Sequence, residues 1–296
     1  MYTHIEGNIY SIFVPLPDNP LRNLNAYLIK DDKRSLLIDT GFRRDECREA
    51  LLGGLAELGV SMDNTDICLT HLHSDHTGLA PEIAGPNSKI FMSREDSRRL
   101  REFQRSANTH RTEEYTLQGF SLDETAFLRD SPMRKYNSVQ PMDNTYVGEG
   151  DVLEYGGRRL RVIMTPGHTP GHICLYDPDA KVMFLGDHVL FDITPNITTW
   201  LGFSDPLGTY VHSLMDISIF DVRLPLPAHR GVSGTMAERV GKIIEHHGAR
   251  IREMIGILEK NPKLTAYELS GLMTWRVHGK SPSWADFPLQ QKWFAV

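Results

Sequence analysis

The sequence predicts an α/β protein, and three observations carry that prediction. Short apolar runs of strand length recur along the chain. Several of them end in His or Asp. Stretches of helical periodicity lie between them and after them. NIYSIFVPL (8–16) and NAYLIK (25–30) read as strands, and SLLIDT (35–40) is a strand running into the turn Asp39-Thr40-Gly41. Residues 43–58 place Leu51, Leu52, Leu55 and Leu58 at helical spacing, with Gly59 as the stop. DICLT (66–70) is a buried strand that feeds directly into His71-Leu72-His73-Ser74-Asp75-His76, and KIFMS (89–93) is another short strand. Residues 94–146 turn polar, rich in Arg and Glu, with Phe103, Tyr115, Phe120, Phe127 and Tyr136 interspersed. They read as a helical insertion, either a solvated helical pair with an apolar seam or a cover over a substrate.

From residue 150 the strands return. RLRVIMT (159–165), HICLYD (172–177), KVMFLGD (181–187) and VRLPLPAH (222–229) each end at or near a His or Asp. Residues 236–260 read as one long helix stopped by Asn261-Pro262. Thr265 caps a second helix through Trp275, and a last short helix covers 286–295. No flexible linker precedes this tail. The expected organisation is therefore a body over 1–234, holding the insertion at about 94–146, and a helical C-terminal subdomain over 235–296.

Composition narrows the functional class. The chain has 296 residues, 40% hydrophobic and 24% charged, which is ordinary globular usage rather than that of a disordered protein. No apolar run approaches the roughly 20 residues that span a bilayer, so no membrane partner is expected. Lys plus Arg is 32 against 38 Asp plus Glu, a net charge of −6, which disfavours nucleic acid as the main partner. Cys47, Cys68 and Cys174 are sparse, odd in number and without zinc-ligand spacing. Cys68 and Cys174 sit in apolar runs and read as small buried residues. The N-terminal MYTHIEGNIYSIFVPLP has no basic segment followed by an apolar stretch, so a cytoplasmic location is expected.

The informative residues are among the 13 histidines. HLHSDH puts three imidazoles and a carboxylate within six residues. In an extended segment His71 and His73 point the same way and can share one metal. Asp75 and His76 lie past the strand end and can reach a second metal beside it. Neutral imidazole with carboxylate suits Zn, Fe, Mn or Ni. Three further donors follow at strand ends: His168 in Thr165-Pro166-Gly167-His168-Thr169-Pro170-Gly171-His172, Asp187 after VMFL, and His229 after Pro227-Ala228. Ends of strands are where α/β sites are usually built. Taken singly, His168 or His229 would read as an ordinary turn histidine. His172 reads as a strand-start histidine making a local hydrogen bond, ahead of a metal role. His188 is split evenly between lining a pocket and bonding within its loop. His246-His247 reads as a solvated helix face, and His110 and His212 have no assigned role.

The series HLHSDH, TPGHTPGH, Gly186-Asp187 and Pro227-Ala228-His229 resembles the ordered motifs of the metallo-β-lactamase-fold hydrolases, and Ile38-Asp39-Thr40-Gly41 is similar to that family's N-terminal motif. The resemblance covers about residues 8–232. It implies a four-layer αββα sandwich, here with the helical insertion and the helical C-terminal subdomain added. It implies that His71, His73 and His168 hold a first metal, that Asp75, His76 and His229 hold a second, and that Asp187 bridges both. Asp39 would orient the ligand loop. The implied cofactor is a pair of divalent ions, Zn first, with Fe or Mn as the alternatives. Such a pair, roughly 3.5–4 Å apart, generates a bridging hydroxide for attack on a carbonyl or phosphoryl centre. Asp75 is also the candidate catalytic residue, passing the proton to the leaving group.

Fold alone does not choose a substrate. His73 stands where the flavodiiron proteins of this fold use Glu, and Leu72 stands where glyoxalase II carries a further His. The loop Phe191–Ile197 and the helical tail look similar to the branch with a winged-helix-like C-terminal region, which includes acyl-thioester hydrolases and a ribonuclease. The expectation is hydrolysis of an ester or thioester of a small-molecule acyl compound. Phe103, Tyr115, Phe191 and Trp200 are candidate pocket walls, though each reads first as core. Tyr210 reads as a structural hydroxyl ahead of an oxyanion donor. The alternative is a phosphodiesterase or ribonuclease, with Arg94, Arg98, Arg99, Arg101 and Arg105 as its basic groove. An alternative of another class is a catalytically idle metal-binding regulator. A homodimer through the tail is left open.

Overall fold

The structure is a computed structural model that describes residues 1–105, 109–129, 142–275, 281–289 and 292, without the side chains of 103–105, 109–112 and 127–129. Contacts divide the chain into two compact units, Met1–Gln104 with Lys135–Val240, and Arg105–Arg134 with Gly241–Val296.

In the first unit the described strands form two sheets. The larger runs in spatial order through β1 (Tyr2–Glu6), β2 (Ile9–Pro15), β3 (Asn23–Ile29), β4 (Ser35–Ile38), β5 (Thr65–Cys68), β6 (Ile90–Ser93) and β7 (Asn144–Val147). Its first four strands pair antiparallel, and β4 to β7 pair parallel. The smaller sheet runs from β12 (Leu224–Pro227) through β11 (Val182–Gly186), β10 (Ile173–Asp177) and β9 (Arg158–Met164) to β8 (Val152–Tyr155). The parallel strands β4, β5 and β6 are buried along their whole length, as strands covered on both faces must be. That is why LLI, DIC and IFM read as unbroken apolar runs rather than alternating ones.

One apolar cluster joins the two sheets face to face. Ile9, Tyr27, Ile29, Leu36, Ile38 and Cys68 of the larger sheet meet Leu160, Val162, Ile173, Leu175, Val182 and Phe184 of the smaller. Each fully buried aliphatic side chain contributes about 1.5–3 kcal/mol, so this interface holds the unit together. Helix α1 (Asp45–Glu57) turns Cys47, Leu51 and Leu55 inward. Its Gly54 leaves room for Ile12 of β2, whose methyl would lie 2.6 Å from a Cβ at that position. Helix α7 (Pro206–Ile217), capped by Asp205, buries Tyr210, Leu214 and Ile217. The expected α/β class and its sandwich of sheets and helices are therefore what the chain adopts. The strands β1, β7 and β8 had no clear sequence signal, being short and partly exposed.

The region 94–146 begins with α4 (Arg94–Arg105), which stays with the first unit up to Gln104. Helices α5 (Thr109–Gln118) and α6 (Leu122–Arg129) fall in the second unit, with most of the long helix α8 (Met236–Leu258) and with α9 (Ala266–Leu272). There Tyr115 and Phe120 of the insertion are buried against Tyr267 and Leu289 of the tail, and the Tyr267 hydroxyl donates to Glu124 at 3.1 Å. Thr265 caps α9 with a reciprocal Glu268 bond, as its sequence predicts, and the helix ends at Leu272 rather than Trp275. Tyr136, Trp293, Phe294 and half of the helix expected over 286–295 lie outside the described residues. Among the described residues no helix is long and apolar enough to cross a membrane.

Candidate metal centre

Five chain segments converge at strand ends of the first unit. β5 ends in the loop of His71 and His73 and the single helical turn α2 (Ser74–Thr77), which presents Asp75 and His76 ahead of the short helix α3 (Ala80–Ile83). β9 ends in the turn bearing His168. β11 ends in Gly186, at an irregularity of its pairing with β12, and releases Asp187. β12 delivers His229 two residues on. β4 leads directly into Asp39, held at φ +61°. All seven predicted donors are thus brought together, and all but His73 are buried.

Three imidazole nitrogens face one another. His73 Nδ1 lies 3.0 Å from His71 Nε2 and 3.0 Å from His168 Nε2. Beside them is a second group. His229 Nε2 is 3.2 Å from Asp187 Oδ1 and 3.4 Å from Asp75 Oδ2, and His76 Nε2 is 3.6 Å from Asp187 Oδ1. Asp187 Oδ2 is 3.5 Å from His168 Nε2, so its two oxygens reach both groups. Within each of the sets His71-His73-His168, His71-His76-Asp187 and Asp75-His76-His229, the donor atoms lie within 4.8 Å of one another.

These residues fit divalent metal ions, and the orphaned atoms make the case. His76 Nε2, His229 Nε2 and Asp187 Oδ1 are buried without a hydrogen-bond partner among the described residues. Buried polar atoms are normally satisfied, so three such atoms converging on one space ask for a ligand. The opposite ring nitrogens are all engaged. His76 Nδ1 bonds Asp39 Oδ2 at 2.8 Å, His168 Nδ1 donates to the Asn196 carbonyl at 2.7 Å, and His229 Nδ1 donates to the Asn23 carbonyl at 2.7 Å. Such partners set the tautomer and aim the free nitrogen at a metal.

Supporting residues arrive from distant segments. Asp39 also accepts from the Thr70 amide and hydroxyl, at 2.9 and 2.8 Å, and Thr40 bonds the His76 carbonyl through both its amide and its hydroxyl. The Asp-Thr-Gly turn therefore grips both ends of the HLHSDH loop. Asn25 Nδ2 donates to the carbonyls of Pro227 and Arg230, bracketing His229, and Tyr27 donates to Pro227 at 2.7 Å. His172 makes the local bond expected of it, to the Thr165 hydroxyl at 2.7 Å. Its Nε2 also accepts from the Asp187 amide at 3.2 Å. Gly186 permits that approach, because a Cβ there would lie 2.6 Å from His172 Nε2. The roles of Thr70, Asn23, Asn25, Tyr27 and Asn196 had no signal in the sequence beyond a polar residue in or beside an apolar strand. His188 packs its ring against His172 and Tyr210. The Tyr210 hydroxyl donates to the His188 carbonyl at 2.7 Å, the structural use expected of it.

The electrostatics of the two groups differ. Burial pushes His71 well below the usual histidine range, and burial with the neighbouring His168 lowers His73 to about 3. Burial also opposes the charge on His76 and His229, but Asp39, Asp75 and Asp187 override it. His76 rises to about 9 and His229 rises well above its ordinary value. The imidazoles reciprocate, taking Asp75 down to about 2 and Asp187 well below the carboxylate range, against the opposing effect of burial. A histidine must lose its proton to bind a metal. At neutral pH the first group is already neutral, whereas His76 and His229 must each release a proton. Metal affinity at the second group should therefore rise with pH through the range where His76, at about 9, and His229 lose their protons, while that of the first stays flat across the neutral range. Calorimetric titration in two buffers of different ionisation enthalpy measures this. Uptake of the second ion without proton release would contradict it.

Around this centre, Trp200 stacks on the His73 ring with centroids 6.0 Å apart, and Arg99 lies over Trp200 while donating to the Leu201 carbonyl at 2.9 Å. Trp200 thus forms a wall beside the centre. Phe191 is buried, Tyr115 belongs to the apolar cluster of the second unit, and the Phe103 side chain lies outside the described residues. The described arginines of α4 are engaged locally, and the Arg105 side chain lies outside the described residues. Arg98 pairs with Glu95 and Glu102, Arg99 with Glu95, and Arg94 and Arg101 lie over Tyr146.

Comparison with known proteins places this geometry in context. The model of the metallo-beta-lactamase superfamily matches residues 20–229. A lactamase-like protein of Aspergillus niger is 24% identical over 243 residues, covering 81% of this chain, which spans 60% of that relative's length. An acyl-coenzyme A thioesterase of Bos taurus is 28% identical over 242 residues, covering 75% of this chain and 78% of its own. Among solved structures, a metallo-beta-lactamase family protein of Thermus thermophilus superposes with a TM-score of 0.75 at 29% identity, covering 89% of this chain and 86% of its own. A beta-lactamase domain protein of Burkholderia ambifaria gives 0.72 at 23% identity, covering 86% and 79%, and shows the same fold.

Proposed function

Because this chain belongs to the metallo-beta-lactamase superfamily, we propose that it is a divalent-metal-dependent hydrolase acting on an acyl ester or thioester. The observation that carries this is the pair of donor groups sharing Asp187, with His76, His229 and Asp187 each presenting an unsatisfied buried atom to one space. His71, His73 and His168 would hold one ion, Asp75, His76 and His229 the other, and Asp187 would touch both. When bound, such ions, with Zn expected first and Fe or Mn next, supply Lewis acidity and bring a bound water's pKa toward neutrality.

The residues of the chain do the rest. Asp75, lowered to about 2, is an anion throughout the working range, and its Oδ2 can take a proton and pass it to a leaving group. Trp200 offers an apolar wall beside His73 on which an acyl group can lie while water is kept out. The identity to an acyl-coenzyme A thioesterase supports the acyl class over others. The alternative, cleavage of RNA, needs a positive groove, and the arginines of α4 whose contacts are described are already paired with Glu side chains or laid over Tyr146. Proton release by metal-loaded protein, followed with a pH indicator over thioesters, esters, lactones and phosphodiesters, tests the proposal. Turnover of thioesters or esters that His71→Ala abolishes is the expected result. Cleavage of phosphodiesters alone would overturn the acyl assignment, and metal binding with no turnover would return the idle regulator.

A further inference from the structure

Asp96 lies in the first turn of α4 and is fully buried, yet no cation pairs with it among the described residues. It belongs to a charged run, Arg94-Glu95-Asp96-Ser97-Arg98-Arg99, which reads as a solvated helix face. Its carboxylate instead accepts three hydrogen bonds from two other segments. Oδ2 accepts from the Leu72 amide at 3.0 Å and from the Thr169 hydroxyl at 2.6 Å, and Oδ1 accepts from the Gly171 amide at 2.7 Å. Leu72 stands between His71 and His73. Thr169 follows His168. Gly171 precedes His172, which in turn accepts from the Asp187 amide. Every donor to Asp96 is therefore the immediate chain neighbour of a residue at the centre.

The approach is built for. A Cβ on Gly171 would lie 2.2 Å from Ser93 Oγ and 2.6 Å from the Asp96 amide nitrogen, so glycine lets the turn of His168 sit on the start of α4. Ser93 in turn accepts from that amide at 3.2 Å. Burial of the carboxylate is costly, and it raises the Asp96 group to about 6 against the opposing effect of its three donors. A neutral residue would avoid that cost, but only a carboxylate offers acceptors to all three donors. Asn has one acceptor oxygen and would aim an N–H at an N–H. The second group has other supports, Asp39 for His76 and the Asn23 carbonyl for His229, and neither touches Asp96.

We propose that Asp96 is a positioning residue that ties the His71–His73 loop to the His168 turn, so that metal affinity at the His71-His73-His168 group depends on it and affinity at the Asp75-His76-His229 group does not. This rests on the metal-site reading above. The test uses the full chain stripped of metal and titrated with Co(II), read by its visible absorption. His73→Ala and His229→Ala serve as references that leave one group each and so define its spectrum. In Asp96→Asn, binding at the first group is expected to weaken by about 10–100-fold, the range found for partners of metal ligands, with the second group unchanged. Asp39→Asn, whose carboxylate supports His76 directly and His71 through Thr70, is expected to weaken both groups and so serves as the unselective contrast. Should Asp96→Asn fail to fold, Thr169→Val removes a single donor and should weaken the same group by a smaller factor. Equal weakening of both groups, or of neither, overturns the proposal for Asp96. Absence of Co(II) binding in the unsubstituted protein would instead overturn the metal-site reading, and the proposal with it.

Discussion

Asp187→Ala is expected to lower hydrolysis by roughly 10³-fold or more, among the largest losses at the centre. Asp187 reaches both donor groups, through Oδ1 to His76 and His229 and through Oδ2 to His168. A carboxylate shared by the two groups would help hold both ions, and the water they would acidify would lose that help without it. Losing several kcal/mol of such stabilisation costs a factor of ten for each ~1.4 kcal/mol. Removing the carboxylate also withdraws a negative charge that raises His76 and His229, so both should fall toward the ordinary histidine range. Metal content and kcat measured together decide the matter. A variant that keeps two ions and more than a tenth of its turnover would show that Asp187 does not bridge.

Gly167→Ala is expected to give the largest loss of stability. Gly167 has φ +139°, a region L side chains rarely adopt, and a Cβ there would lie 2.4 Å from Tyr210 Cα and 2.7 Å from its amide nitrogen. These are backbone atoms on the buried face of α7, so no rotamer change relieves the clash. Backbone strain of about 1–3 kcal/mol adds to overpacking of about 1–3 kcal/mol. For a body of this size each kcal/mol moves Tm by about 2–4 °C, so a fall on the order of 10 °C is expected. The residue also precedes His168, so whatever shift accommodates the methyl should weaken the first metal group. Gly53→Ala is the contrast. It lies in α1 with open space around a Cβ, and the substitution should stabilise by about 0.5–1 kcal/mol. Thermal unfolding of the two variants side by side measures both. Equal midpoints would show that the contact at Tyr210 yields without strain.

The centre was legible to the extent that its residues are local in the chain. His71, His73, Asp75 and His76 fall within six positions, and the strand before them is apolar enough to announce its own end. His168, Asp187 and His229 were legible for a related reason. Each follows a short apolar run, and a polar residue at such a point is where a sheet opens to a site. Strand identity in the parallel part of the sheet was equally plain, because burial on both faces leaves an unbroken apolar word such as SLLI or DIC.

What the sequence by itself determined was therefore the donor set and the strands that present it, since periodicity and side-chain chemistry act over a few residues. What only the tertiary structure decided was how those donors are held. Asp96 meets Leu72 across 24 residues and Gly171 across 75, and His229 leans on the Asn23 carbonyl across 206. The partners in those bonds are backbone amides and carbonyls, which every residue owns and no residue type reveals. The pairing of Tyr115 and Phe120 with Tyr267 in the second unit was hidden for the same reason, because an aromatic residue in a polar helix states that it will be buried but not against what.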